Sequence, residues 1–399
     1  MDKIEELLTR GVANIIPSKE ELEKKLRSGK KLNVYLGIDP TATKIHLGHA
    51  VPLRKLQKFA DAGHNVTFLI GDFTALIGDT SDKDSQRPVL TSSQIEENFK
   101  TYKKQAEKIL DFSKIKVRYN SEWLKKLSFE EVVKLTQQFS FGDFSARELI
   151  RKRLNKGEHV GLHEGLYPAM QGYDSYFLDT DIQIGGTDQT FNMQAGRILQ
   201  KNWRKKESFI LANEFLLGTD GRKMSKTWNN AIWLDDNPND MFAKIMAVND
   251  DLIIQYFTLA TDMSMSAIKD IEKELKKGGN PINVKKDLAR QIVKELHGDS
   301  QAEDAENNFE KTVQKKESPK DIKIHNFNTS EKNLTDILIE TKLASSKSDA
   351  QRLVEQGGVS IDGIIATDPN EIIELKNERV IKVGKHRFVK IKSKKLIRT

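Results

Sequence analysis

The sequence of 399 residues contains no cysteine, and this absence excludes several classes of protein. Disulfide scaffolds, zinc ribbons, iron–sulfur proteins and enzymes with a thiol nucleophile all need cysteine side chains. No apolar run approaches the roughly 18 residues of a membrane span, since the longest, at residues 66–71, has the length of a strand. The first six residues carry acids where a signal peptide needs basic and then apolar residues. We therefore expect a soluble, cytoplasmic protein with no membrane partner.

The residues that are present indicate a folded chain of several domains. Apolar residues make up 37% of the sequence, which is enough for a buried core, and the length favours two or three domains. The chain has 65 basic and 58 acidic residues, a net charge of +7. Residues 376–399 contain ten basic residues and one acid, so this end carries +9 and the other 375 residues sum to −2.

This basic end predicts a polyanionic partner, with nucleic acid as the first candidate. A solvated tail is the alternative interpretation. Apolar residues such as Val380, Ile381 and Val389 are interleaved with the basic ones and favour the strands of a folded module.

Between residues 32 and 213, short apolar runs alternate with segments of helical periodicity. The pattern predicts strands at 33–38, 65–70, 115–119, 181–184 and 208–211. It predicts helices at 46–62, 95–110 and 191–199. Such alternation is typical of a parallel sheet covered by helices. A helical segment at about 127–161 interrupts it and indicates an insertion.

After Trp233 the pattern becomes helical, with predicted helices at 241–246, 252–259, 268–275 and 283–297. A polar segment and a compact basic unit follow. We therefore predict an α/β fold with a Rossmann-like parallel-sheet domain, then an α-helical domain and a small α+β domain. The predicted boundaries are 1–230, 231–318 and 333–399, with a linker at 319–332.

The first motif with chemical character spans residues 39–49, directly after a predicted strand. The chain turns through Pro40 and opens a helix with His46 and His49 in its first turn. Free N–H groups and the positive dipole end favour phosphate there, and two imidazoles three residues apart share one face. Gly48 leaves room for a flat ring such as adenine. A turn with two surface histidines is the alternative, while metal binding is less favoured because no third ligand lies at helical spacing.

The second motif lies in the polar, glycine-containing loop at residues 217–227. Its two lysines, Lys223 and Lys226, can close over a polyphosphate and neutralise the charge that develops on leaving pyrophosphate. An exposed basic turn is the simpler interpretation of the same residues.

Together, the two motifs resemble the HIGH and KMSKS signatures of class I aminoacyl-tRNA synthetases. Residues 46–49 have Leu in place of Ile, and residues 223–227 end in Thr in place of Ser. The chain further resembles bacterial tyrosyl-tRNA synthetases, closest to the second subtype with its KMSK core, over nearly its whole length. Four segments carry this likeness: 35–41, 71–79, 167–174 and 183–189.

The resemblance implies a tyrosine–tRNA ligase that converts L-tyrosine and ATP into tyrosyl-adenylate and then charges tRNA(Tyr). It implies that residues 1–230 are catalytic, that 231–318 lie on the anticodon side and that 333–399 bind RNA. It also implies a homodimer and a Mg²⁺ ion on the pyrophosphate, without a metal site in the protein. Tryptophanyl-tRNA synthetase, a small nucleotidyltransferase and a silent RNA-binding paralogue are the alternatives.

The resemblance also assigns roles to individual residues. The tyrosine hydroxyl would meet Tyr35 and Asp174, and the ammonium group would meet Asp79, Tyr167 and Gln171; without the resemblance, Asp174 reads as a surface acid. The ATP site would comprise Gly37, Asp39, Thr41, His46, Gly48, His49, Gly185, Asp188 and Lys226. The residues implied in catalysis are Thr41, His46, His49, Lys223 and Lys226.

Two basic groups are candidates for contacts with RNA. Residues 345–354 and 357–363 resemble the small RNA-binding domain that this family shares with a ribosomal protein, and there Lys347 and Arg352 would meet the RNA backbone. The second group could approach the acceptor stem, or it could be a solvated helix end. It comprises Lys201, Arg204, Lys205 and Lys206.

Overall fold

The structure is a computed structural model that describes residues 2–40, 43–79, 91–311, 324–384 and 387–394. Its chain divides into two compact units, Met1–Glu303 and Asp304–Thr399. Thr41 lies outside the described residues, as do residues 319–323 of the predicted linker. None of the described helices is both long enough and apolar enough to cross a membrane.

The first unit is built on a six-stranded sheet with the order β1-β6-β5-β2-β3-β4. Its strands are β1 (Val12–Ile16), β2 (Asn33–Ile38), β3 (Asn65–Ile70), β4 (Ile115–Tyr119), β5 (Ile182–Gly186) and β6 (Phe209–Asn213). All neighbours run parallel except β1 and β6, which are antiparallel. The predicted parallel sheet is thus confirmed, and β1 is an additional edge strand that the pattern did not predict.

Helices cover this sheet and continue beyond its last strand. They are α1 (Lys3–Thr9), α2 (Lys19–Arg27), α3 (Leu47–Asp61), α4 (Ser92–Ala106), α5 (Ser121–Leu124), α6 (Phe129–Thr136), α7 (Phe141–Ser145), α8 (Glu148–Asn155), α9 (Leu166–Phe177), α10 (Thr190–Arg204), α11 (Pro238–Met246), α12 (Ile253–Ala260), α13 (Met265–Lys276), α14 (Pro281–His297) and α15 (Asp299–Phe309). Each of the four helices predicted after Trp233 overlaps one of α11–α14, so those predictions are confirmed.

Arg10, just after α1, ties the start of the chain to the helices that follow the sheet. Its guanidinium donates hydrogen bonds to the carbonyl oxygens of Phe257, Thr258, Thr261 and Met263, at 2.6–3.3 Å. Residues on both sides of position 230 therefore belong to one compact unit. The predicted division at this position stays a prediction.

The second unit is a small α+β domain, as the sequence predicts. Its elements are β7 (Ile324–Phe327), β8 (Glu331–Asn333), α16 (Leu334–Glu340), α17 (Lys347–Glu355), β9 (Val359–Ile361), β10 (Ile364–Ile365), β11 (Ile372–Glu374), β12 (Arg379–Val383) and β13 (Arg387–Ser393). Five strands form a sheet in the order β10-β9-β12-β13-β7, and β8 pairs with β11. Leu338, Val354, Ile381 and Ile391 lie in its apolar core.

The predicted linker at 319–332 is wrong in its second half. Residues 324–327 form β7, which runs parallel to β13 with Ile324 opposite Lys390, and β8 begins at Glu331. In β7 only Phe327 is buried, so the sequence there has the polar character of a connecting segment. An edge strand that buries one side chain does not show the alternation from which strands are predicted.

Candidate active site

A cavity of about 1080 Å³ opens at the carboxyl ends of β2 and β5, the central neighbours of the parallel sheet. In open α/β sheets such a crevice is the usual ligand site. Each described residue that the sequence assigned to tyrosine, ATP or catalysis lines it. These residues are Tyr35, Gly37, Asp39, His46, Gly48, His49, Asp79, Tyr167, Gln171, Asp174, Gly185, Asp188, Lys223 and Lys226.

The buried part of the cavity contains the carboxylate of Asp174, which is 3% exposed. One of its oxygens accepts a hydrogen bond from Trp123 Nε1 at 2.7 Å, and the other accepts one from Asn120 Nδ2 at 3.2 Å. Burial raises the pKa of Asp174 to about 8, although these two donors act in the opposite direction. The interpretation of Asp174 as a surface acid is therefore wrong.

Tyr35 also lies at this buried end, where its hydroxyl donates to Gln183 Oε1 at 3.2 Å. Burial, and secondarily the charge of Asp174, raise the pKa of Tyr35 well above its ordinary value. Tyr35, which keeps its proton, and the buried side chain of Asp174 together form a polar end of the cavity. This end suits a ligand hydroxyl, which can both donate and accept a hydrogen bond.

Three residues of this buried end were missed by the sequence analysis: Asn120, Trp123 and Gln183. Asn120 directly follows β4, so its place at a strand's carboxyl end was a signal that could have identified it. Gln183 lies within a segment that carried the family resemblance, but it was given no role. Nothing in the local pattern distinguishes Trp123.

Asp39 joins the turn after β2 to helix α9. Its two carboxylate oxygens accept hydrogen bonds from Thr74 Oγ1 and from the Tyr167 hydroxyl, each at 2.8 Å. A Cβ atom on Gly71 would lie 1.9 Å from Asp39 Oδ1, so only glycine leaves room for this carboxylate. Asp39 and Tyr167, predicted for ATP and for the ammonium group respectively, are thus direct partners.

Helix α9 presents three of the predicted residues on one face. Tyr167, Gln171 and Asp174 follow each other at intervals of four and three residues, and all three line the cavity. Asp79 supplies a negative charge to the cavity. It is 7% exposed, and its carboxylate accepts hydrogen bonds from Gln189 Nε2 at 2.7 Å and Asn192 Nδ2 at 3.3 Å. A buried, anchored carboxylate of this kind suits a ligand cation.

The histidine turn has a defined geometry at the N-terminus of α3. The rings of His46 and His49 are stacked, with centroids 3.7 Å apart and an interplanar angle of 17°. A Cβ atom on Gly48 would lie 3.0 Å from the His46 ring, so glycine is needed for close approach here. Burial, with His49 and Lys223 nearby, lowers the pKa of His46 to about 2, which leaves this imidazole neutral.

The lysine loop is held in place at its base and is not a free turn. The side chain of Asn230 accepts a hydrogen bond from the Ser225 amide at 2.8 Å and donates one to Asp220 Oδ1 at 2.7 Å. Lys223 Nζ lies 3.9 Å from Asp188 Oδ2, and both Lys223 and Lys226 are exposed at the cavity. These cations can therefore approach an anionic ligand from its solvent side.

The remaining predicted residues differ in their surroundings. Gly37 is exposed at the end of β2, and Gly185 is buried in β5 against the Met193 side chain. The described residues contain no group of three or more histidine, aspartate or glutamate side chains that could hold a metal ion.

The two basic groups predicted for RNA are found on helices. Lys347 begins α17, and Arg352 on the same helix forms an exposed ion pair with Asp349 at 2.7 Å. In the second group, Lys206 pairs with Asp179 and Asp181, and Arg204 lies over the Tyr176 ring at 4.4 Å. Lys201 and Lys205 are exposed.

The chain is similar to known proteins over almost its full length. A model of the tRNA synthetases class I (W and Y) matches residues 27–314, and an S4 domain model matches residues 334–380. A tyrosine–tRNA ligase of Thermotoga maritima is 42% identical over 96% of both chains. Tyrosine–tRNA ligase 2 of Clostridium acetobutylicum is 42% identical over 98% of both.

A solved structure shares the fold. The C-terminally truncated mitochondrial tyrosyl-tRNA synthetase of Coccidioides posadasii superposes with a TM-score of 0.64 at 24% identity, covering 77% of this chain and 91% of that one.

Proposed function

The chain belongs to the class I tRNA synthetases of the tryptophan and tyrosine family, and from this premise we propose how its residues carry out tyrosine–tRNA ligation. In the first step, L-tyrosine and ATP give tyrosyl-adenylate and pyrophosphate. In the second step, tyrosine passes to the 3′-terminal adenosine of tRNA(Tyr). The observation that carries the proposal is that a buried carboxylate and the histidines and lysines of the two motifs all line the same cavity.

Tyrosine binds with its hydroxyl at the buried end of the cavity. Asp174 accepts a hydrogen bond from the phenol, and Tyr35 lies beside it. The donors Trp123 and Asn120 fix the Asp174 carboxylate, so it is oriented before the substrate arrives. Phenylalanine would offer no hydroxyl to these buried groups, so the hydrogen bond that they make to the substrate would be lost, and that loss disfavours it.

The ammonium group of tyrosine binds to Asp79, Tyr167 and Gln171. A cation with three donors needs several acceptors around it, and a carboxylate, a phenol oxygen and an amide oxygen supply them. Gln189 and Asn192 anchor the Asp79 carboxylate on its other side.

ATP lies across the turn after β2 and the end of β5. Gly37, Asp39, Thr41 and Gly48 border the nucleotide on the first side, and Gly185 and Asp188 face its ribose on the second. Mg²⁺ would enter with the nucleotide as part of the substrate and would neutralise charge on the pyrophosphate.

The reaction needs positioning and charge stabilisation rather than a protein nucleophile. A carboxylate oxygen of tyrosine attacks the α-phosphorus, and the bond to the bridging oxygen breaks, so pyrophosphate leaves with the electron pair. His46 and His49 donate hydrogen bonds to the phosphate oxygens as charge shifts. Lys223 and Lys226 neutralise the β- and γ-phosphates from the solvent side.

The S4 domain binds tRNA through its surface charge, with Lys347 and Arg352 on RNA phosphates. Lys201, Arg204 and Lys205 are the exposed candidates for the acceptor stem. Because tRNA charging serves translation, the enzyme works in the cytoplasm.

The functional form is a homodimer, formed through the helical insertion. Between residues 129 and 162 five large apolar side chains are 40–84% exposed, an unusual concentration on one monomer. They are Phe129, Val133, Phe141, Leu154 and Leu162. A second copy of the chain would cover them.

The experiment that tests the function is ATP–pyrophosphate exchange with each of the twenty amino acids. Tyrosine should drive exchange best by a wide margin. Faster exchange with tryptophan or any other amino acid would overturn the assignment, and exchange with none would favour a silent RNA-binding paralogue.

A further inference from the structure

The lysine loop and the histidine turn meet in one short backbone ladder. His46 and Trp233 form an isolated antiparallel bridge. The Leu47 amide donates to the Ile232 carbonyl, and the Leu234 amide donates to the Ile45 carbonyl, both at 2.9 Å. Residues 232–234 begin five residues after Thr227, the last residue of the loop that carries the lysines, so the segment that leaves this loop is attached to the start of α3.

The side chain of Trp233 also meets the His46 ring. The two ring centroids are 5.7 Å apart, at an interplanar angle of 59°. His49 is stacked on His46, and a Cβ atom on Gly48 would lie 3.0 Å from the His46 ring. Among the described residues, the buried Nδ1 atom of His46 has no hydrogen-bond partner. The rings of Trp233 and His49 therefore flank this imidazole and restrict its orientation.

Trp233 is itself firmly placed. Its amide donates to Asp236 Oδ2 at 2.8 Å, and the same oxygen accepts from Lys244 Nζ at 2.6 Å on α11. The indole is partly buried and lines the cavity. Trp233 therefore has a fixed support on one side and the reacting region on the other.

We infer that Trp233 is a positioning residue for adenylate formation: its indole orients the His46 imidazole at the point where the backbone of its neighbours Ile232 and Leu234 joins the lysine loop to the histidine turn. The inference rests on the proposed function, because it concerns phosphate stabilisation by His46. It predicts a defect in the chemical step rather than in tyrosine binding, since the tyrosine contacts come from other elements.

The test uses Trp233→Leu, which removes the indole but keeps the backbone ladder, and Trp233→Phe, which retains an aromatic ring. Tyrosine-dependent pyrophosphate exchange should show kcat reduced about 10-fold or more in Trp233→Leu, with KM for tyrosine within about 2-fold. Trp233→Phe should restore most of kcat. Trp203→Leu is the matched control, because this partly buried indole lies outside the cavity and its loss should leave exchange unchanged.

A double-mutant cycle separates positioning from general support of the fold. If Trp233 acts through His46, adding Trp233→Leu to His46→Ala should lower kcat by no more than about 2-fold further. Thermal unfolding establishes that each variant is folded, and Trp233→Met replaces Trp233→Leu if the latter is not.

If the wild-type protein shows tyrosine-dependent exchange, three results would overturn the inference about Trp233 but not the proposed function. They are an unchanged kcat in Trp233→Leu, a loss fully additive with His46→Ala, and a KM for tyrosine that rises as much as kcat falls. Absence of tyrosine-dependent exchange in the wild-type protein would instead overturn the proposed function, and the inference with it.

Discussion

The two units of the chain place their polar side chains in opposite ways. In the first unit, Asn120, Asp174 and Gln183 are at most 3% exposed and form hydrogen bonds around the cavity. In the described part of the second unit, Thr335 is the only buried polar side chain, and it donates to the Pro369 carbonyl at 2.6 Å. The charges of the second unit, such as Lys347 and Arg352, lie at its surface.

This difference indicates two modes of recognition. A buried hydrogen-bonded site discriminates because a wrong ligand leaves desolvated groups without partners, and salt changes that penalty little. A charged surface recognises phosphates by displacing counterions, so its affinity falls steeply as salt increases. The first unit should therefore set chemical identity, and the second should set the affinity for RNA.

The largest effect should come from the histidines of the first unit. We expect His46→Ala and His49→Ala each to lower kcat for adenylate formation by about 30- to 1000-fold, because a lost donor costs about 2–4 kcal/mol of transition-state stabilisation. Pyrophosphate exchange measures this loss. If both variants raised only the KM for ATP and kept kcat, the histidines would bind the ground state and their assigned role would be wrong.

Removal of the second unit should separate the two modes. Truncation after residue 311 keeps the whole sheet of the first unit, whereas a cut near residue 330 would leave β7 without its partner β13. We expect nearly unchanged pyrophosphate exchange and about 100-fold slower tRNA charging at low tRNA concentration, with a flatter dependence on salt.

The full-length variant Lys347→Ala/Arg352→Ala is the matched control for this truncation. It should show part of the charging defect with the fold intact. Equal loss of exchange and charging in a folded truncated protein would mean that the second unit supports catalysis instead of recruiting RNA.

A smaller effect should come from the residue that orients Asp174. In the wild-type protein the rings of Trp123 and Phe177 are stacked with centroids 4.4 Å apart. Trp123→Phe keeps an aromatic ring there but removes the Nε1 donor. We expect KM for tyrosine to rise about 10-fold, since loss of a hydrogen bond that leaves a buried polar group unsatisfied costs about 1–3 kcal/mol, while KM for ATP stays constant. Trp203→Phe, outside the cavity, serves as the control. Equal KM values for tyrosine in both variants would mean that Trp123 has no role in tyrosine binding.

The last expected effect concerns stability as a function of pH rather than activity. The pKa of Asp174 is raised to about 8 in the folded chain from an ordinary value of 3.8, so between these values the folded state binds the extra proton. Stability from this group is complete below about pH 4 and is lost as pH rises towards about 8. The melting temperature of Asp174→Asn, relative to wild type, should therefore increase by roughly 10 °C across this range and then level off, because about 1.4 kcal/mol of wild-type stability is lost per pH unit. A difference that is constant with pH would contradict the raised pKa.

Elements with a strong periodic signal could be predicted from the sequence. Strand β2 buries three consecutive residues, Val34, Tyr35 and Leu36, because helices cover both faces of a parallel sheet, and such runs are easily seen. Strand β1 buries only Ile15 and pairs antiparallel at the edge, so it has no such run. Its partner, β6, is about 200 residues away and local pattern cannot reveal it.

The same distinction applies to the site. Residues in contiguous motifs, such as His46 and Lys223, could be identified, and the structure brings them to one cavity, although their individual roles remain predictions. The hydrogen bonds of Asn120 and Trp123 to Asp174 could not be predicted, because they join residues more than 50 positions apart, although its place after β4 marks Asn120 as a candidate. Their significance arises only once the fold has placed α5 beside α9.

On the proposed assignments, helix α9 carries three of the five residues that bind the amino acid. Tyr167, Gln171 and Asp174 lie on one face of this helix, whereas His46 and Lys223 belong to other segments. During evolution, a few substitutions along a single helical face could therefore change which amino-acid side chain is accepted as substrate. The segments that bind the nucleotide would stay unchanged. A family whose members serve two different aromatic amino acids, tryptophan and tyrosine, is the kind of diversity that this arrangement makes accessible.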